Sequence, residues 1–158
     1  MIKFLIPLFV FVALYSQEYP YLFPDHHTRF IHEISRSIKK SSSVVIISNR
    51  YHHPSLSKAI IASAKKGGSI KLILNNPKGE PLSLIQYRNV DLFLSTVALK
   101  QTVIIIDSTL ACSTNIPIDE DLFGSRSVTM HCSDSSDEIR RLDHAMQPLI
   151  HASRNYLE

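Results

Sequence analysis

The sequence predicts an α/β domain with a mixed, largely parallel sheet flanked by helices, and three observations carry that prediction. Ser43–Ser48 is an unbroken run dominated by Val and Ile, as expected of a strand covered on both faces. Residues 70–74 read as a second buried strand. Between them Leu56, Ile60, Ile61 and Ala64 follow the helical period. A strand, a helix and a second strand within about thirty residues make a βαβ unit, which demands a parallel pair and a right-handed crossover.

The elements follow in order. Lys3 precedes an apolar run over residues 4–15 and then polar Ser16, Gln17 and Glu18, the layout of a secretory signal. Residues 1–16 are therefore read as a signal peptide or an uncleaved N-terminal membrane anchor, and the protein as exported: periplasmic, or tethered to the membrane by that segment. The Tyr- and Pro-rich stretch that follows suits an extended linker, residues 17–27, ahead of a single domain over residues 28–158. Phe30, Ile31, Ile34 and Ile38 fall at helical spacing, with Asp25 or Thr28 as N-cap and Lys39 and Lys40 at the C-terminal end. Pro54 and Ser55 open the next helix, and Gly67 and Gly68 close it.

Residues 81–86 read as a short helix before a strand at Val90–Leu94, and residues 103–106 as the most apolar strand of the second half. Residues 109–113 and 127–131 read as further strands separated by an acidic loop containing Asp119, Glu120 and Asp121. Ser135 and Glu138 form a capping box ahead of Ile139, Leu142, Met146, Leu149 and Ile150, a helix laid on the sheet.

Composition excludes some classes. With 158 residues, 44% of them hydrophobic and 20% charged, the chain can bury a core and disorder is not its default. A net charge of +3 permits nucleic acid or anionic lipid as partner without demanding either. Cys112 and Cys132 either pair across neighbouring strands or serve as small buried hydrophobes. No metal-ligand spacing accompanies them, so no metal and no cofactor is expected.

The order of elements resembles the phospholipase D superfamily, particularly its small bacterial nuclease-like members. Val44 to Tyr51 and then Lys58 to Leu74 look like that family's first strand, helix and second strand. More specifically, Val103-Ile104-Ile105-Ile106-Asp107 followed by Cys112-Ser113-Thr114-Asn115 resembles the end of its histidine-x-lysine-x4-aspartate motif and the downstream Gly-Ser-x-Asn segment. Counting back from Asp107 puts Lys100 where the histidine belongs and Thr102 where the lysine belongs. In the family the histidine attacks phosphorus, while the lysine and asparagine stabilise charge on the non-bridging oxygens. A lysine amine is a poor nucleophile near neutral pH but a good phosphate-binding cation.

The resemblance thus implies an exported, catalytically impaired phospholipase-D-like protein. It would bind a phosphodiester, nucleic acid or phospholipid, through Lys100, Thr102, Asp107, Ser113 and Asn115. It also implies a homodimer, or a heterodimer with an active relative, because small family members build one site across a two-fold axis. Two other readings stand beside it: a working phosphodiesterase in which His52 and His53 replace the lost histidine, and a structural envelope protein with a vestigial groove.

Overall fold

The computed structural model describes residues 18–158, so the segment expected to direct export lies outside the described residues. In chain order the elements are β1 (Glu18–Phe23), α1 (His27–Lys40), β2 (Ser43–Ser48), β3 (Tyr51–His52), α2 (Pro54–Lys65), β4 (Ser69–Leu74), α3 (Glu80–Leu84), β5 (Val90–Leu94), β6 (Thr102–Ile106), β7 (Leu110–Thr114), β8 (Ile118–Asp119), α4 (Glu120–Ser125), β9 (Val128–Ser133), α5 (Ser136–Ala152) and β10 (Arg154–Asn155). The described residues form an eight-stranded sheet in the order β1-β9-β7-β6-β2-β4-β5-β10, and β3 pairs with β8 in a separate ribbon.

The expected βαβ unit is present: β2 and β4 run parallel, with Val44 opposite Ile70 and Ser48 opposite Leu74, and β5 continues the parallel set. Every other pairing in the large sheet is antiparallel, so the parallel share is smaller than the βαβ pattern implied. One of these pairings, β6 with β7, follows from a tight hairpin, which cannot accommodate a crossover.

Two cores flank the sheet. On one face α1 buries Phe30, Ile34 and Ile38, and α2 buries Leu56, Ala59 and Ile60, against Val44, Ile46, Ile70, Leu72, Ile104 and Ile106. On the other, α5 packs Ile139, with Leu142 and Met146, over Ile47, Ile73, Val103 and Ile105. Gly68 lets α2 turn tightly into β4, because a Cβ there would lie 2.3 Å from Ser63 Oγ and 3.1 Å from the Ser41 carbonyl oxygen.

Several local expectations are corrected. Residues 18–23, expected within a linker, form the edge strand β1 on β9: Tyr21 and Phe23 alternate into the core, and Pro20 is tolerated because the strand has no partner on its outer side. Helix α1 begins at His27 behind His26, without a side-chain cap from Asp25 or Thr28. Ser135 is the N-cap of α5 but its side chain makes no capping bond, so the capping box does not close. The acidic stretch is not a loop. Asp119 ends β8 and caps α4, its carboxylate accepting from Leu122 N at 3.1 Å. Cys112 and Cys132 stand directly opposite on β7 and β9, with Cα atoms 4.0 Å apart, and are disulfide-bonded.

Candidate functional site

Antiparallel pairing of β2 with β6 sets Ile47 opposite Val103, which brings Ser48 and Thr102 together at one end of the sheet. Thr102 Oγ1 donates to the Ile116 carbonyl at 2.7 Å and lies 3.0 Å from Ser48 Oγ. Ser48 Oγ donates to the Arg50 carbonyl at 2.8 Å and accepts from Ile118 N at 3.0 Å. Two hydroxyl groups thus tie β2, β6 and the segment entering β8 into one closed polar knot. Thr102 is only 1% exposed. The threonine expected among the ligand-binding residues is therefore sealed from solvent, its hydroxyl donating to the Ile116 carbonyl.

Asp107 is separated from this end by the length of β6, about 16 Å at 3.3 Å per residue. There Asp107 and Ser108 turn with φ of 50° and 54°, a conformation that suits a mirror-image hairpin turn and that Asp tolerates better than most residues. Thr109 N closes the turn on the Ile106 carbonyl at 3.0 Å. The Asp107 carboxylate accepts from Ser42 N at 2.9 Å and Ser43 N at 2.8 Å. Asp107, also expected among the ligand-binding residues, anchors the hairpin to the α1–β2 connection.

Ser113 and Asn115 do come together. They line a cleft of about 390 Å³ with Gln101, Thr114, Val128, Thr129 and His131. Lys100, exposed, is the chain neighbour of Gln101 but does not itself line the cleft. Ser113 faces His131 across the β7–β9 register, and the Cys112–Cys132 bond one residue inward locks that register. His131 is thus a cleft histidine that reasoning from the motif missed.

His52 and His53 lie elsewhere, on β3 and at the start of α2. His53 is 1% exposed and its Nε2 sits 3.3 Å from His27 Nε2, with Phe123 packed on both rings. Burial, reinforced by His27, pushes its pKa down to about 4, so it is neutral near pH 7. Burial also lowers that of His27, against the opposing pull of Glu120. Glu80 Oε2 accepts from His53 N at 3.0 Å and Ser57 Oγ at 2.8 Å, and Glu80 Oε1 is 3.5 Å from His52 Nδ1. Neither candidate replacement lines the cleft. Among the described residues no three His, Cys, Asp or Glu side chains gather as a metal set.

The sequence matches no family model and none of the curated proteins. Solved structures do match. NucT from Helicobacter pylori is similar over 89% of this chain and 99% of its own, with a TM-score of 0.80 at 16% identity. Nuc from Salmonella typhimurium, a phospholipase D family member, is similar over 89% and 98%, with a TM-score of 0.73 at 14% identity. TrmBL2, an archaeal chromatin protein whose structure shows a mode of DNA binding, is similar over 90% of this chain and 55% of its own, with a TM-score of 0.63 at 7% identity. The chain therefore has the phospholipase-D-like fold of the small nuclease-like proteins. Among the described residues no helix is long and apolar enough to cross a membrane.

Proposed function

We propose that this is an exported phospholipase-D-like protein that holds a phosphodiester, best a nucleic acid strand, without cutting it. The carrying observation is the Thr102 end of β6. The position that the resemblance gives to a lysine is occupied by a sealed, hydrogen-bonded threonine, and position 100 by an exposed lysine instead of a histidine. Amides and a hydroxyl, from Gln101, Asn115 and Ser113, line the cleft, and exposed Lys100 adjoins Gln101 in the chain, a set suited to phosphate oxygens. The names of the similar structures favour nucleic acid, and the Cys112–Cys132 disulfide suits an oxidising compartment. By the same resemblance the working form is a homodimer, or a pair with an active relative, that sets two such clefts across a two-fold axis.

Anisotropy of a labelled oligonucleotide, titrated at two salt concentrations, tests the reading. Lys100→Ala is expected to weaken binding at least threefold and to flatten the salt dependence. Binding indifferent to that change at both salts would sink it.

One observation favours a second reading, a working phosphodiesterase: His131 is a histidine in the cleft. Its imidazole would attack phosphorus as the bond to the leaving oxygen breaks, and water would then hydrolyse the phosphohistidine. Cleavage of a labelled strand, abolished in His131→Ala, would establish it.

A further inference from the structure

The whole chain carries only +3, yet that charge is unevenly placed. Between His27 and Lys66 stand Arg29, Arg36, Lys39, Lys40, Arg50, Lys58, Lys65 and Lys66 against one acid, Glu33, which leaves the remainder net negative. Arg29 is held by Glu33 and Arg50 by Asp119. Arg36, Lys39, Lys40, Lys58 and Lys66 are exposed and have no ion-pair partner among the described residues; Lys66 Nζ reaches only the Lys39 carbonyl, at 3.4 Å. These five line one groove of about 680 Å³ on the outer side of α1 and α2.

Helix spacing explains their convergence. Positions 32, 36 and 40 of α1 form one stripe, and 58 and 66 of α2 lie on the stripe across from it. Both helices lead into parallel strands, so they run side by side and the groove follows their length. Favourable placement at a helix C-terminus accounts for Lys39 and Lys40, but not for Arg36 and Lys58. Ser35 Oγ, buried in the groove wall, has no hydrogen-bond partner among the described residues.

We infer that the α1–α2 groove is a second nucleic-acid site, separate from the cleft, that takes the phosphate backbone of one strand. From Thr28 to Lys40 the groove is about 18 Å long at 1.5 Å per residue, long enough for several consecutive phosphates of one strand. A bilayer fits less well. The large exposed apolar side chains, Tyr19, Leu22, Leu82, Val97, Tyr156 and Leu157, all lie outside the groove, so it offers no wedge to enter lipid.

The test uses the full chain with a labelled 20-nucleotide single strand across a salt series. The variant Arg36→Ala/Lys39→Ala/Lys58→Ala, all exposed positions, is compared with Lys71→Ala/Lys78→Ala/Arg88→Ala, which removes the same charge outside the groove. The first is expected to weaken binding at least tenfold and to lower the salt slope by roughly 2; the second to stay within threefold of wild type. Equal loss in both variants, or no loss in the first, overturns the inference. So does binding to vesicles of 30% phosphatidylglycerol that depends on the groove while the oligonucleotide does not bind. Lys100→Ala leaves the groove intact, so failure of the cleft reading and failure of this one are read from different variants.

Discussion

At its C-terminal end β6 turns through Asp107, an exposed carboxylate gripping two backbone N–H groups; at its N-terminal end it begins with Thr102, sealed in a knot of hydroxyls and carbonyls. The family motif that the sequence resembles spans both ends, yet the two halves do separate work. The aspartate half closes a hairpin and ties it to β2, a task any ligand-free scaffold still needs. At the other end, where the resemblance expects a histidine and a lysine, the chain carries Lys100 and a Thr102 that contributes to packing. A motif can thus keep its spacing while the residues at one end change.

Perturbing the two ends should separate these roles. The largest effect is expected from Thr102→Lys, which restores the family residue but places an ammonium in a site that is 1% exposed and leaves Ser48 and Ile116 without their partner. Urea unfolding should show a loss on the order of 3 kcal/mol or more, whereas a near-neutral result would mean that the knot opens readily.

Acid should come next. Unfolded His53 takes a proton near pH 6.5 and folded His53 only near 4, so between those values the unfolded state binds more protons and stability falls as pH is lowered. The slope should approach about 1.4 kcal/mol per pH unit for that one proton. A thermal melting series from pH 7 to 4 should show the decline flattened in His53→Leu, with remaining slope traceable to His27 and, toward pH 4, to Glu33.

Asp107→Ala should cost about 2 kcal/mol, from two lost hydrogen bonds to a carboxylate and a Cβ-bearing residue held at φ of 50°. Asp107→Asn keeps an acceptor and tolerates that φ, so about half the loss should return. Neither change should alter oligonucleotide affinity beyond its effect on the folded fraction. The smallest effect is expected for Lys100→Ala, within about 0.5 kcal/mol in stability, since its site is exposed.

Much of the fold was legible. Continuous Val and Ile runs marked β2 and β6, apolar residues around Lys71 marked β4, and the period of Phe30, Ile34 and Ile38 marked α1, because burial on both faces or on one stripe leaves a local signature. β1 was masked by Tyr and Pro composition, although Tyr21 and Phe23 alternate inward. β10 has two residues and no pattern to read. In the site, Ser113 and Asn115 were recognisable from motif spacing. His131 was not, because its place depends on which strands are neighbours. Reading the two cysteines as directly opposed would have supplied it, since one step further along antiparallel strands sets Ser113 against His131. The separation of Asp107 from Thr102 was also available in principle, as a five-residue strand cannot bring its two ends together.

The proposed role of the cleft lined by Ser113 and Asn115 is to hold a phosphodiester and leave it intact. Stoichiometric protein should therefore be mixed with an end-labelled single strand, and the same sample followed by anisotropy and then by denaturing gel. The account predicts a bound, full-length strand whose affinity drops in Lys100→Ala. Shortened products that disappear in His131→Ala, or a strand that never binds, would contradict it.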